Sequence, residues 1–429
     1  MKSNPVTNRQ LRSILCLDDF ELKARKFLPR PIFGYVAGAA ETNASLAQNR
    51  ASFQDYSFLT TTMVDVSKRS QSVTLFGKVY AAPFGIAPMG LSALMAYRGD
   101  LVLARAADRA RIPMIMSGTS LIRLEDVARE SLSPWFQAYL PGEEAQIIAL
   151  IDRVRNAGFE TLVITVDTPV QANRENNVRT GFSTPLRPTL RLAWDGISHP
   201  SWLCGTFLRT LVKHGMPHFE NNYATRGAPI LSPNVVRDIS DRGHLTWEHM
   251  RLIRRIWQGP LVIKGILNKD DAAIACNLGV DGIIVSNHGG RQLDGSVPPL
   301  RVLSEIVDTA GQVPVMLDSG VRRGTDALKA LALGAKMVFV GRPFGYAAAI
   351  AGEAGVSHAI KLLSDEIFRD MGMLGIHALD QMHPGRLVPM NELAAGIVNK
   401  AKADRGAINA VPNTNESRTF RHLDKSGIR

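Results

Sequence analysis

The sequence predicts an α/β fold: a (β/α)₈ TIM barrel with an N-terminal helical segment and a long insertion after strand four. Three observations predict it. Eight short, continuous apolar runs recur from residue 81 onward. Helix-like patterns separate them, as buried parallel strands with helical crossovers require. The eight units fill about 260 residues, close to the usual span of such a barrel.

The runs, in order, are AAPFGIAP (81–88), IPMIMS (112–117), PWFQAYL (134–140), TLVITVD (161–167), PLVIKG (260–265), DGIIVSN (281–287), VPVMLDS (313–319) and AKMVFVG (335–341). Helical periodicity marks 99–111, 143–158, 269–279 and 324–334, and the last two end in a glycine suited to a left-handed C-terminal cap. Residues 1–80 read as a helical segment packing on the barrel, 81–390 as the barrel, and 391–429 as a polar, basic tail. One gap breaks the alternation, at 168–259. Its part 179–244 reads as an insertion on the strand-four loop, rich in Arg, Pro, Trp, Phe and His.

Composition sets outer limits. A chain of 429 residues with 45% hydrophobic content can bury a large core, and 21% charged residues argue against wholesale disorder. Cys16, Cys204 and Cys276 are odd in number and form no CxxC, so a reducing, cytoplasmic compartment is expected. The first 20 residues lack the apolar core of a signal peptide. The longest uncharged stretch, 79–97, is broken by Pro83, Gly85, Pro88 and Gly90, so it reads as strand plus loop. Fifty basic against 39 acidic residues give +11. That balance favours anionic partners: a carboxylate substrate, a phosphate-bearing cofactor, an anionic lipid surface or nucleic acid. No nucleic-acid-binding signature accompanies it.

Barrel chemistry sits at the C-terminal ends of the strands. Here those ends are polar. Strand one ends in Ala87-Pro88-Met89-Gly90 and strand two in Ser117. Strand three carries Gln137 and Tyr139, and strand four Thr165 and Asp167, with Arg174 beyond. Lys264 ends strand five, Ser286-Asn287-His288-Gly289-Gly290-Arg291 strand six, Asp318-Ser319-Gly320-Val321-Arg322 strand seven and Gly341-Arg342 strand eight. Singly, each reads as a helix cap or a surface charge. A cylinder aims all eight ends at one mouth, and such a cluster of cations there is costly without an anion.

The glycines and arginines after strands seven and eight suit a phosphate. No two glycines stand two apart, so GxGxxG is excluded; GxxxxGK, HExxH and GxSxG are also missing, and no metal site is expected. His288 has the pKa for general-base work, Arg291 offers a planar fork for a carboxylate, and Asp167 can orient the imidazole. Together they suggest proton removal beside an acid group.

SNHGGRQLD (286–294), with TVDTP (165–169), VIKGI (262–266), DSGVRRG (318–324) and VGRPFG (340–345), resembles the FMN-dependent L-2-hydroxy acid dehydrogenase/oxidase family. That family includes bacterial L-lactate and mandelate dehydrogenases and glycolate oxidase. The resemblance covers about residues 15–390 and implies oxidation of a 2-hydroxy acid to the 2-oxo acid. It implies His288 as base, Asp167 as its partner, and Tyr139 at the substrate hydroxyl or carboxylate. Tyr35, Arg174 and Arg291 would bind the substrate carboxylate. Lys264 would lie at the flavin N1/O2 edge. Ala87, Pro88, Met89, Ser117, Gln137, Thr165 and Ser286 would contact the isoalloxazine or ribityl groups. Asp318, Ser319, Gly320, Arg322, Gly341 and Arg342 would hold the ribityl and phosphate.

Thr119 stands where glycolate oxidase-like members carry a bulky aromatic, so lactate or a larger acid is expected as substrate. Gly90 and the 96–107 stretch resemble the dehydrogenases that pass electrons to quinone or cytochrome; an oxygen-using oxidase is the neighbouring alternative. Within 179–226, six basic residues face two acidic ones beside Trp194, Trp202, Phe207 and Leu208. This suits an interfacial membrane anchor, a mobile lid, or both. The resemblance also implies a homotetramer, cytoplasmic or peripheral on the inner face of the cell membrane.

Overall fold

The computed structural model describes residues 11–183, 189–232 and 242–391. Its centre is a ring of eight parallel strands: β1 (Phe84–Ile86), β2 (Ile115–Ser117), β3 (Trp135–Ala138), β4 (Thr161–Thr165), β5 (Leu261–Ile266), β6 (Gly282–Val285), β7 (Val315–Asp318) and β8 (Met337–Val340). They pair in the order β1-β8-β7-β6-β5-β4-β3-β2. The seam between β1 and β2 closes through one bridge, Ile86 with Met114, where the Ile86 amide donates to the Pro113 carbonyl at 2.9 Å. All eight expected strands are present, seven of them shorter than their apolar runs and β5 shifted by one residue.

Alternation along each strand sends every second side chain inward. The inward set below the mouth is dry: Ile115, Trp135, Val163, Val262, Ile284, Met316 and Phe339, with Met337 one step deeper on β8. Two residues further along, the inward positions become Ser117, Gln137, Thr165, Lys264, Ser286, Asp318 and Gly341, with Ala87 on β1. The barrel thus changes from apolar to polar within one step, at its C-terminal end.

The N-terminal end is shut by a hairpin, Val73–Leu75 paired with Lys78–Tyr80. Phe76 and Gly77 turn it with positive φ, the conformation that tight hairpins need. The Phe76 ring lies 5.5 Å from Trp135, whose indole N–H donates to the Tyr80 hydroxyl at 3.3 Å. Residues 1–80 thus combine helices with this hairpin. Helices occupy Leu17–Phe27, Arg30–Ala37 and Ala44–Ala51 as expected, but 73–80 alternates with period two around a turn.

Helices coat the barrel. Glu144–Asn156 buries Ile147, Leu150, Ile151 and Val154, the i, i+3, i+4, i+7 stripe. Gly279 and Gly334 follow their helices with positive φ, as caps. The final helix, Arg342–Leu374, bends at Ala351–Gly352 and packs on Gly99–Ala110 and Leu17–Phe27. The insertion places Leu190–Ile197 and a helical run over 200–214 outside the barrel. Trp202 ties it down by donating to the Leu94 carbonyl at 2.7 Å, and His214 meets the Tyr97 hydroxyl at 2.9 Å. The tail from 392 lies outside the described residues.

Asp100, in the first turn of Gly99–Ala110, is 1% exposed, and its Oδ2 has no hydrogen-bond partner. Burial pushes its carboxyl up from 3.8 to about 6, against the hydroxyls of Ser92 and Ser120. The folded value lies above the unfolded one, so the fold prefers the neutral acid. Its contribution is complete below pH 3.8 and is lost as pH rises through 6. Asp100→Asn should therefore stabilise the protein above pH 6 by about 3 kcal/mol. Denaturant midpoints across pH check this: the gain should shrink steadily between pH 6 and 4.

Candidate active site

The polar layer opens into a cavity of about 540 Å³ at the C-terminal mouth. Its walls include Tyr35, Ala87, Pro88, Met89, Tyr139, Arg174, Lys264, His288 and Arg291. They continue through Asp318, Ser319, Gly320, Arg322, Gly341 and Arg342. Seven loops and one N-terminal helix meet here although their residues are far apart in the chain. Ser117, Gln137, Thr165 and Ser286 form the inward polar layer directly beneath it, and Asp167 stands behind His288.

His288 has positive φ, 58°, which lifts its ring off the end of β6. Its Nδ1 lies 2.9 Å from Asp167 Oδ1, and its Nε2 lies 3.3 Å from the Tyr139 hydroxyl. Burial favours the neutral acid at Asp167, but His288 and Lys264 overcome it and hold the carboxyl below its ordinary value. Burial holds His288 below an ordinary histidine despite the pull of Asp167. At neutral pH the pair is therefore carboxylate and neutral imidazole. Nδ1 carries the proton and donates to Asp167, which leaves the Nε2 lone pair as a base. Burial keeps the Tyr139 phenol protonated. Asp167→Asn reverses the preferred tautomer, and flavin reduction should slow on the order of 10²-fold or more, read by anaerobic stopped flow.

Lys264 is 3% exposed. Its ammonium donates to Ser286 Oγ at 2.9 Å and pairs with Asp318 at 3.3 Å. Burial alone would strip its proton, but Asp318 and Asp167 raise its pKa above the usual value, so it is a fixed cation. The arginines are held differently. Arg291 Nη1 donates to the carbonyls of Tyr35 and Gly38 at 2.7 and 2.8 Å. Arg342 donates to the carbonyls of Val36, Gly289 and Gly38. Arg174 donates to the Arg291 carbonyl and to Gln292 Oε1. Neutral acceptors orient these guanidinia without cancelling their charge. Burial and mutual repulsion lower Arg291 to about 10 and Arg342 to about 9, so both remain charged at neutral pH. The mouth is strongly electropositive and shaped for anions.

Some contributors escape the motif reading. Arg242 comes from the insertion and places its guanidinium 4.9 Å from the Tyr139 ring centroid. Phe182 packs on the Tyr35 ring at 4.5 Å. Nothing local in their sequence marks them, because only the fold returns the insertion to the mouth. Asn287 and Asn49 exchange two hydrogen bonds of 2.7 Å. Asn287 did carry a signal, since it sits beside His288 in the strand-six motif.

The residues present fit FMN. Gln137 Nε2 and Thr165 Oγ1 are buried with no protein partner, so they wait for the polar edge of a ligand. Lys264 supplies a buried cation beside them. Gly320 has φ 93°, and a Cβ there would sit 2.4 Å from the Asn49 carbonyl oxygen, so the arginine-rich end admits only glycine.

A barrel with a basic, phosphate-ready mouth and a His–Asp pair defines a flavin-class oxidoreductase. The chain belongs to the FMN-dependent dehydrogenase family, whose profile matches residues 24–389. It is 35% identical over 395 residues to (S)-mandelate dehydrogenase of Pseudomonas putida, covering 92% of this chain and 97% of that protein. It is 37% identical over 380 residues to L-lactate oxidase of Lysinibacillus sphaericus, covering 87% and 92%. The crystal structure of the monotopic membrane protein (S)-mandelate dehydrogenase superposes with a TM-score of 0.83 at 35% identity, covering 88% of this chain and all of that one. The cofactor of this family is FMN, and the fold is the (β/α)₈ barrel.

Proposed function

We propose that the protein oxidises an L-2-hydroxy acid, lactate-like or larger, to the 2-oxo acid, and passes the electrons to a quinone or cytochrome. The observation that carries this is the His288 Nε2 base facing the same cavity as Arg291, Arg174 and Lys264. FMN, when bound, supplies the two-electron acceptor. Arg291 and Arg174 hold the substrate carboxylate, with Tyr35 and Tyr139 beside it. Tyr139 O–H fixes the substrate oxygen. His288 Nε2 takes the substrate proton, and Asp167 stabilises the imidazolium formed. Lys264, Gln137 and Thr165 would hold the flavin's pyrimidine edge. Gly320, Arg322, Gly341 and Arg342 would hold its phosphate.

Gly90, Thr119, Phe182 and Phe219 line the cavity, giving small residues and an aromatic rim around the space for the substrate's side chain. An anaerobic absorbance titration tests the whole reading. L-Lactate or L-mandelate should bleach the flavin, glycolate far less. Fast recolouring with a quinone and slow recolouring in air supports the dehydrogenase; fast recolouring in air makes it an oxidase. A protein that binds no FMN rejects the proposal.

The insertion supports peripheral membrane attachment. Leu190, Trp194 and Ile197 stand at i, i+4, i+7 and are 93%, 68% and 61% exposed. Leu208 and Val212 add a second exposed pair, with Arg191, Arg209 and Lys213 nearby. Exposed apolar groups with basic residues beside them in the chain suit an anionic bilayer surface. No helix among the described residues is long and apolar enough to cross a membrane. Trp194→Asp with Ile197→Asp should abolish sedimentation with anionic vesicles and leave flavin reduction intact. Retained sedimentation would reject this face as the anchor. A homotetramer is the expected assembly, and light scattering checks it.

A further inference from the structure

His288, Gly289 and Gly290 are three consecutive residues with positive φ, at 58°, 65° and 77°. Such a turn needs external anchors, since its N–H groups cannot join the β6 ladder. Side chains reach all three, and the Asn287 carbonyl also takes the Gly290 N–H at 2.9 Å. His288 N–H donates to Ser286 Oγ at 3.0 Å, Gly289 N–H to Ser319 Oγ at 2.9 Å, and Gly290 N–H to Asn287 Oδ1 at 3.1 Å. Ser286 and Asn287 belong to the same loop. Ser319 is the exception, reaching across from the end of β7.

Ser319 itself has φ 79°, a conformation in which glycine is at ease and a residue with a Cβ is not. Its hydroxyl proton goes to Asp318 Oδ1 at 2.8 Å, while Asp318 Oδ2 pairs with the Lys264 ammonium at 3.3 Å. One strained serine thus joins two parts of the site: the turn that carries the base and the carboxylate that balances the buried lysine.

We propose that Ser319 is a positioning residue that couples the catalytic histidine turn to the Lys264–Asp318 pair. This rests on the flavin-dependent reading above. As an acceptor, the hydroxyl fixes Gly289 and so aims His288. As a donor, it draws charge from Asp318 and leaves more of the Lys264 charge to act on the cavity. Losing it should both misplace the base and weaken the positive field.

Ser319→Ala keeps the unfavourable backbone and removes the hydroxyl. Ser319→Gly removes the hydroxyl and relieves the backbone. Both should slow anaerobic flavin reduction by at least about tenfold, the loss expected when a single hydrogen bond no longer supports the reacting geometry. Substrate dissociation constants should change less than threefold. Sulfite adds its electron pair to oxidised flavin, forming a sulfur–nitrogen bond and a negatively charged adduct. A weaker positive field should make that adduct several-fold less stable in both variants, read as reduced bleaching of visible absorption at a given sulfite concentration. Rates and sulfite affinities within twofold of wild type in both variants overturn the proposal. So does recovery in Ser319→Gly alone, which would assign the effect to backbone strain. A wild-type protein that binds FMN but is not reduced by any 2-hydroxy acid overturns the functional reading instead, and sulfite still tests Ser319.

Discussion

His288→Ala should retain FMN and lose reduction by 2-hydroxy acids by about 10²–10⁴-fold or more, since a positioned general base contributes that much. Its side chain bonds to Asp167 and Tyr139 rather than to Gly320, Arg322 or Arg342, so the proposed phosphate end does not depend on it. Its positive φ means alanine also carries a backbone cost. His288→Asn, which tolerates that backbone, is the control and should be equally inactive. The pH profile gives a second check. The base must be neutral, and burial holds its pKa below the ordinary 6.5. The acid limb of wild-type reduction should therefore have its midpoint below pH 6.5, as the imidazole protonates. Neither variant should show that acid limb. Near-normal flavin reduction in both would remove His288 from the mechanism.

Lys264→Met should be damaging in two separable ways. It leaves the Asp318 carboxylate, 6% exposed, without its cation, at about 3–5 kcal/mol of stability. Given the proposed role of Lys264 beside the flavin, it would also remove a cation that favours negative charge on reduced flavin, so substrate should reduce the cofactor slowly and incompletely, and FMN should leak on dilution. Lys264→Met with Asp318→Asn removes both charges together. Thermal melting should recover most of the stability, while flavin reduction stays poor. Recovery of both would show that the lysine serves only to neutralise the aspartate.

Strand positions were legible because barrel strands are buried on both faces and read as unbroken apolar runs. Their polar ends were legible because Ser286 to Asp294 packs several functional side chains into one short stretch. The hairpin at 73–80 was harder. Three-residue strands leave little periodicity, and their apolar face is defined by Trp135 and Phe339, which arrive later in the chain. Arg242 and Phe182 were hidden for a related reason: their roles depend on where a long excursion returns. The hydroxyl of Ser319 was visible as a residue, but its two partners became evident only once β6 and β7 stood side by side.

The hairpin plug has a consequence for traffic. Phe76, Tyr80, Trp135 and the ring of apolar side chains above them leave the barrel without a rear exit. On the proposed function, substrate, product, acceptor and the proton taken by His288 would all use the upper opening. If the insertion rests on a bilayer, that opening becomes a shared vestibule between cytosol and lipid. Turnover would then be paced by the order in which a water-soluble acid and a lipid-soluble acceptor take turns at one doorway.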